Sequence, residues 1–272
     1  MIDFLLNCLL FFGVLTLIFA PLEILFRARP QGLLRKESAT DLFFFFGQAF
    51  LWTAPVTAAL AWFIAVSDDL PLAGLRSIVA SWPLWVQIPL GLAISDLCIY
   101  WGHRWSHRIG FLWRFHRVHH TSEALDYVAA YREHPFDNLY TRAIENAPLI
   151  LLGVPLQVVA GFILFRGLWA VYIHSNIAIE PGPLRMLLGS PRLHHWHHEK
   201  RHHGRVNFAN LSPLMDLAFG TYHDPGHHPE DYGIAARVSH GYLAQIIGPV
   251  LPKQLERKLF PPPSVRAVDK AC

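Results

Sequence analysis

Three long apolar runs constrain the fold of this chain more than any other feature of its sequence. Residues 4–22 and 42–66 contain no charged side chain, and residues 82–101 contain one, Asp96. A helix of about 20 apolar residues crosses the ~30 Å hydrocarbon core of a bilayer. Because lipid offers no hydrogen-bond partners, the backbone of such a segment must satisfy its own polar groups as a helix. The sequence therefore predicts an all-α integral membrane protein.

The composition supports this prediction. Hydrophobic residues make up 53% of the chain and charged residues 16%, and the mean hydropathy is +0.28, whereas soluble domains carry about 25% charged residues. A signal peptide is the alternative for the first run, but no basic residue precedes it and Arg27 and Arg29 follow it, which favours a membrane span. The net charge of +3 is small and the basic residues flank apolar runs, so we expect no nucleic-acid partner.

Charges in the connecting loops predict how the helices are oriented. Basic residues gather between the first two runs, at Arg27, Arg29, Arg35 and Lys36. Basic loops stay in the cytoplasm, so the N-terminus is expected outside. The loop after the second run begins with Asp68 and Asp69 and has one basic residue, Arg76, which predicts an outside position. The third run then returns the chain to the cytoplasm just before a histidine-rich stretch.

Eight histidines recur at helical spacing in three clusters. The clusters are His103 and His107; His116, His119 and His120; and His194, His197 and His198. Residues three or four apart share one face of a helix, so each cluster presents its imidazoles together. Zinc usually takes four ligands, and eight, with His134 and His174 as extras, suit two metal ions. The three cysteines, Cys8, Cys98 and Cys272, form no CxxC motif, so we expect neither an iron–sulfur centre nor a disulfide framework.

In order along the chain, the clusters read HRWSH, HRVHH and HHWHH. This series of HxxxH, HxxHH and HxxHH boxes resembles the fatty acid hydroxylase/sterol desaturase superfamily. Further matches are Glu133-His134-Pro135, His174-Ser175-Asn176, Pro191, and Asp216 followed by Phe219-Gly220-Thr221. The resemblance covers roughly residues 90–222. The chain departs from the family at Asn207-Phe208-Ala209, where many members have Asn-Tyr-Gly, and it offers no tyrosine there.

The resemblance implies a membrane-embedded oxygenase with two iron ions as cofactors and O₂ as co-substrate. Such an enzyme oxidises an unactivated C–H bond of a lipid, by hydroxylation or desaturation. The eight box histidines are then iron ligands, His174 completes one iron, and His134 either binds iron or supports a ligand. The expected metal residues are His103, His107, His116, His119, His120, His134, His174, His194, His197 and His198. No catalytic residue beyond the ligands is expected, and His195 lies off the HxxHH register.

The expected architecture is a transmembrane helix bundle with a cytosolic helical cap that carries the histidine boxes. We divide the chain into N-terminal transmembrane helices and linker (1–90), a fatty acid hydroxylase-type di-iron domain (91–222) and a cytosolic or interfacial tail (223–272). The apolar stretch 147–173 must turn back if His174 is to reach the side that carries His103. Two arms of about 13 residues are shorter than the bilayer core, which predicts a short, partly inserted hairpin.

The resemblance also implies a lipid substrate and an electron donor. The chain has no HPGG motif, the haem-binding signature of cytochrome b5-like domains. We therefore expect a separate donor that is ferredoxin-, rubredoxin- or cytochrome b5-like. The short chain and the lack of an endoplasmic-reticulum retention signal favour a bacterial inner membrane, with the histidine boxes on its cytoplasmic side.

Two other functions remain open from the sequence. A membrane metal-binding or transport protein would use histidines as relay ligands and spread them through the spans, whereas these gather at the predicted cytosolic ends. A membrane zinc hydrolase needs three or four ligands, so most box histidines would be dispensable.

Several polar residues have predicted supporting roles. Asp96 lies in a membrane span, where a carboxylate is costly unless it faces a site or a partner, and we expect it to support the metal site. Candidates to accept the outer N–H of a ligating imidazole are Glu123, Asp126, Asp137, Glu145, Glu199 and Asp216. His202 and His203 follow two basic residues and are expected at a solvated helix end. Residues 121–145 are expected to form a cytosolic or interfacial helix that is interrupted at His134-Pro135, and residues 238–252 an amphipathic interfacial helix.

Overall fold

Four long apolar helices dominate the structure, a computed structural model that describes residues 2–201 and 204–262. By length and composition, each can cross a membrane: Ile2–Leu25, Ser38–Asp68, Leu84–Arg108 and Leu156–His174. Within the described ranges the chain forms no strand, and two isolated bridges join Arg27 to Ile177 and Glu199 to Tyr232. The prediction of an all-α membrane protein is confirmed. The predictions for His202 and His203 and for residues 263–272 fall outside the described residues.

Twelve α-helices follow one another in the described chain. They are α1 Ile2–Leu25, α2 Ser38–Gly47, α3 Thr53–Asp68, α4 Ala73–Ser81, α5 Leu84–Arg108, α6 Gly110–His116, α7 Pro135–Leu151, α8 Leu156–His174, α9 Pro191–His197, α10 Leu214–Ala218, α11 Tyr242–Ile247 and α12 Lys253–Leu259. One π-helical turn, Gln48–Trp52, joins α2 to α3. The expected interfacial helix at 238–252 is shorter, since only α11 and the 3-10 turn Gly248–Val250 form there.

The hairpin of α7 and α8 is longer than predicted. The chain does turn back between them, where Gly153 takes a positive φ of 78°, but α7 has 17 residues and α8 has 19. The charge of Arg166 interrupts the apolar stretch 147–173. The helix continues through it because Arg166 is buried and ion-paired with Asp96. Residues 121–134, before the expected interruption, are mostly irregular instead of helical, whereas α7 begins at Pro135, where the interruption was expected.

Asp96 joins two membrane helices to the loop before α10. Its carboxylate accepts hydrogen bonds from Arg166 Nη2 at 3.2 Å and from the backbone N–H groups of Leu211 at 3.3 Å and Ser212 at 3.2 Å. Arg166 Nε lies 3.5 Å from the Glu145 carboxylate of α7. The expectation that Asp96 supports a metal ligand is therefore corrected, because its oxygens are occupied by this helix-to-loop anchor.

A second buried charge network fixes the loop between α1 and α2 to the segment after the second histidine box. Arg35 Nε donates to Asp126 at 2.7 Å, and Arg132 Nη1 lies 2.9 Å from Glu37. Asp41, fully buried, pairs with both guanidinium groups. Because each charge has a partner, the network offsets the cost of burying it. The backbone around Arg132 is held firmly in place as a result.

Close packing between α5 and α7 depends on Gly102, the residue before the first box histidine. A Cβ at this position would lie 2.8 Å from Ile144 Cγ2, whereas a Cβ at Gly161 in α8 meets no described atom within 4 Å. We expect Gly102→Ala to lower the free energy of unfolding by about 1–3 kcal/mol through overpacking. Gly161→Ala is the matched control and should be neutral or stabilising, since alanine favours helices. Thermal unfolding in detergent compares the two, and equal midpoints would contradict the packing argument.

Candidate metal centre

The three histidine boxes and His174 converge at one end of the membrane helices. The ends of α5, α6 and α8, the turn His119–Thr121 and the helix α9 contribute them. Nine imidazoles form two groups, within each of which one ring nitrogen per residue lies within 4.8 Å of all the others. Group A comprises His103, His107, His116, His120 and His197, and group B comprises His119, His174, His194 and His198.

Group A is arranged around the Nε2 atom of His116. This atom lies 3.1 Å from His103 Nε2, 3.0 Å from His107 Nε2 and 3.2 Å from His120 Nε2. His197 joins from α9, with its Nε2 3.2 Å from that of His120. Five nitrogens from three chain segments therefore point into one small volume.

Group B is built in the same way from four imidazoles. His174 Nε2 lies 3.0 Å from His119 Nε2 and 2.9 Å from His194 Nε2, and His198 Nε2 lies 3.1 Å from His194 Nε2. The groups are neighbours, because the rings of His120 in group A and His198 in group B stack with centroids 4.4 Å apart. Two ions held here would occupy adjacent sites.

Backbone carbonyls determine which nitrogen of these rings carries the proton. Four Nδ1 atoms lie 2.7–3.1 Å from carbonyl oxygens, namely His103 to Phe208, His119 to Arg132, His174 to Ala170 and His197 to Val206. A carbonyl only accepts, so these Nδ1 atoms carry the hydrogen and their Nε2 atoms keep a lone pair. Lone pairs about 3 Å apart repel one another, and a cation between them removes that repulsion. The donor set therefore fits metal ions.

Burial keeps the ligand-type imidazoles neutral. Desolvation, reinforced by neighbouring histidines, lowers the pKa of His119, His120, His194 and His198 well below the ordinary value. Burial likewise lowers the pKa of His197 to about 3. Neutral imidazole is the form that binds a metal, so these side chains are ready to coordinate without first losing a proton.

Asp137 is an acidic candidate that reaches a histidine of group A. Its carboxylate lies 2.9 Å from His116 Nδ1, and it is 3% exposed. Among the other candidates, Asp126 pairs with Arg35, Glu145 with Arg142, and Asp216 accepts the N–H groups of residues 208 and 209. A carboxylate behind a metal-binding imidazole fixes its tautomer and raises its basicity. Asp137 is placed to do this for the histidine at the centre of group A.

His134 lies outside both groups. Its Nδ1 accepts a hydrogen bond from the N–H of Phe136 and so caps α7, and its Nε2 lies 3.0 Å from the carbonyl oxygen of Ile246. Both ring nitrogens are therefore occupied, and the structure does not bring this residue into the metal-type arrangement. His195 is also outside, since its Nε2 faces the Ser175 carbonyl at 3.1 Å and its Nδ1 lies 2.9 Å from the Tyr232 hydroxyl.

A cavity of about 360 Å³ opens beside the two groups. Its lining includes the histidines His103, His116, His119, His174 and His194. Apolar side chains of α1, α5 and α8 and polar side chains of α7 are also part of the lining. The sequence-based predictions did not include this polar part of the lining. Its signal in the sequence is the recurrence of Asn138, Arg142 and Glu145 at the spacing of one helix face.

Comparison with known proteins agrees with this geometry. The profile of the fatty acid hydroxylase family matches residues 88–221. An ornithine lipid hydroxylase of Rhizobium tropici is 36% identical over 62% of this chain and 51% of its own length. An alkylglycerol monooxygenase of Danio rerio is 33% identical over 53% of this chain and 31% of its own length. A Delta(7)-sterol 5(6)-desaturase of Gibberella zeae is 31% identical over 53% and 40%.

This chain thus spans about half, or less, of the length of these relatives. No solved structure matches it significantly. All three relatives act on lipids by their names, and the matched region contains the three histidine boxes.

Proposed function

Residues 88–221 of this chain belong to the fatty acid hydroxylase/sterol desaturase superfamily, and from this we propose that the protein is an O₂-dependent membrane lipid hydroxylase or desaturase with two bound irons. One observation carries the proposal: nine imidazoles form two adjacent groups. Inside each group, the Nε2 atoms of neighbouring rings lie about 3 Å apart. Group A would hold one iron and group B the other. His134 is left out of the ligand set.

Imidazole nitrogens suit iron, and iron supplies the reaction of O₂ with an unactivated C–H bond. Hydroxylation inserts one oxygen atom of O₂ into that bond and reduces the other to water, which consumes two electrons and two protons. Desaturation uses the same O₂ and electrons but removes two hydrogen atoms and forms two waters. The names of the relatives include both outcomes, so the proposal covers hydroxylation and desaturation.

The residues of the chain bind and orient the lipid and keep water away. Two residues of α8 that line the cavity, Leu164 and Leu168, are 61% and 40% exposed on the membrane-facing surface. An acyl chain can therefore enter sideways from the bilayer, between helices, while its reacting carbon approaches the histidines. His103 of group A and His119 and His174 of group B also line the cavity. This supports oxidation of the lipid at the side of the cavity that these histidines form.

We place the histidines on the cytoplasmic side of the membrane, a bacterial inner membrane being favoured. The loop with the four basic residues 27–36 lies on the same side as the boxes, because Ala28 N–H donates to Asn176 O and Arg35 pairs with Asp126. The positive-inside rule then supports a cytoplasmic position. Electrons would come from a separate ferredoxin-, rubredoxin- or cytochrome b5-like protein. We also propose that the chain consists of N-terminal transmembrane helices and linker (1–90), a di-iron domain (91–222) and a cytosolic or interfacial tail (223–272).

Metal content and O₂ chemistry test the function directly. Detergent-purified protein, reconstituted with Fe²⁺, should hold one iron per histidine group and show a coupled iron pair by Mössbauer spectroscopy. Incubation with ¹⁸O₂, a chemical reductant and a membrane lipid extract should give lipids with one ¹⁸O atom or with two hydrogens fewer. Protein that binds only zinc after iron reconstitution, or that consumes no O₂ when reduced, would refute the proposal.

Removing the carboxylate behind His116 should weaken iron binding without emptying the site. Asp137→Ala leaves the His116 imidazole unsupported, and losses of 10–100-fold in metal affinity are typical for such partners. We expect a loss of about this size in group A, measured by competition with a calibrated Fe²⁺ chelator. Asp231→Ala, an exposed aspartate outside the centre, is the matched control. Equal affinities for both variants would argue against the role of Asp137.

A further inference from the structure

The cavity beside the histidines has two chemically different walls. One wall is apolar and includes Ile163, Leu164 and Val171 of α8. A second, polar part of the lining carries Glu133, Asn138 and Arg142, from α7 and the residues before it. A hydrocarbon substrate needs only the first wall. The second wall indicates that a polar part of the substrate also enters this space.

The charges on the polar wall are paired, with one exception. Glu145 lies 3.1 Å from Arg142 and 3.5 Å from Arg166, and Arg166 also reaches Asp96. Glu133 accepts one hydrogen bond, from the neutral side-chain amide of Asn138 at 2.6 Å. The ion pairs found among the described residues include no cation for Glu133. Glu133 therefore lines the cavity without a close ion-pair partner among the described residues.

Such a group is unfavourable without a cation. Burial and the nearby Asp137 carboxylate raise the pKa of Glu133 to about 7. Arg142 offsets part of this rise in the pKa of Glu133, but its Nη1 atom donates to Glu145, and the ion pairs of the described residues do not join it to Glu133. A positive group brought into the cavity would therefore gain an ion pair and a charge-assisted hydrogen bond with Glu133. Charge-assisted hydrogen bonds are roughly twice as strong as neutral ones.

We propose that the polar wall binds an ammonium group in the head of the substrate lipid and that the Glu133 carboxylate is its counter-charge. This inference rests on the proposed function, because the same cavity holds the reacting part of the lipid. A volume of about 360 Å³ is at the lower end of small-molecule pockets. It holds a head group and the chain segment next to it, and the remaining chain leaves past Leu164 into the bilayer. The enzyme would then oxidise an amine-bearing lipid close to its head.

Binding, measured apart from turnover, tests this assignment. The probes are N-palmitoyl putrescine, which has a primary amine, and its N-acetylated form, which is neutral. Titrations of the detergent-solubilised, iron-loaded protein by calorimetry give the ratio of the two dissociation constants. We expect the wild-type protein to bind the amine at least about tenfold more tightly. Glu133→Gln should bring the two constants to within about twofold of each other.

Glu230→Gln, an exposed glutamate outside the cavity, is the matched control and should keep the wild-type ratio. Equal binding of both probes by the wild-type protein overturns the proposal, even if Glu133→Gln does not fold. A preference for the amine that survives in Glu133→Gln overturns it as well. Because binding needs neither O₂ nor electrons, a failure of lipid oxidation would count against the proposed function and leave this ratio as an independent result.

Discussion

His119→Ala is expected to remove the iron of group B and to abolish O₂-dependent lipid oxidation. His119 is one of four imidazoles in that group, and its Nε2 lies 3.0 Å from that of His174. Its loss leaves three ligands and also removes the partner of the Arg132 carbonyl. Elemental analysis should show iron falling by about half, because one of the two groups is emptied. The Mössbauer signature of a coupled pair should disappear, and turnover should fall to background.

The matched control for this experiment is His227→Ala. His227 is exposed and lies outside both groups, so the variant should keep the wild-type iron content and activity. Normal turnover by His119→Ala at full iron loading would contradict the assignment of group B. Extending the series to the other histidines separates an oxygenase from a zinc hydrolase, since a hydrolase needs only three or four ligands and would tolerate most of the substitutions.

Asp96→Ala is expected to produce the largest loss of stability. The substitution leaves the Arg166 guanidinium, 3% exposed, with one distant carboxylate partner, Glu145. It also leaves the N–H groups of Leu211 and Ser212 without their acceptor. Breaking a buried ion pair by removing one partner typically costs 3–5 kcal/mol. We expect a loss of about that size in the free energy of unfolding.

Unfolding by denaturant in mixed micelles measures this loss. Asp68→Ala is the matched control, because Asp68 also pairs with an arginine, Arg76, but its side chain is 68% exposed. Exposed ion pairs contribute about 0–1 kcal/mol, so this variant should unfold close to the wild-type protein. Equal losses of unfolding free energy in the two variants would show that the buried Asp96–Arg166 pair contributes no more to stability than the exposed pair. Full iron content in Asp96→Ala would agree with a role of Asp96 in holding the helices together and not in supporting a metal ligand.

The long helices could be predicted because their cause is local. Residues 4–22 and 42–66 are apolar throughout, and in lipid a helix is the available way to satisfy their backbone. The structure accordingly has helical segments at Ile2–Leu25 and Ser38–Asp68. The helix α8 continues past Arg166, although this charge interrupts the apolar stretch 147–173. The partner of Arg166, Asp96, lies 70 residues away in the chain, and no local pattern shows such a pairing.

The polar wall of the cavity also shows that local sequence patterns do not predict the contacts of individual side chains. The sequence contains Glu133 next to His134, and both belong to a motif expected near the metal. The structure gives them different surroundings, since His134 caps α7 and reaches Ile246 while Glu133 faces the cavity. The direction in which each side chain points depends on where α7 begins. That start is fixed by Pro135 at the first helical position and by the His134 side chain, which accepts a hydrogen bond from the Phe136 N–H.

The sequence by itself predicted that the eight box histidines lie at the ends of membrane helices, since their spacing places each cluster on one helix face. It did not determine how they divide. His119 and His120 are consecutive but belong to groups B and A, and His197 and His198 belong to groups A and B. Successive residues of a helix point about 100° apart, so neighbours in one box turn toward different partners. Only the tertiary packing of α5, α8 and α9 around the second box decided which imidazoles meet.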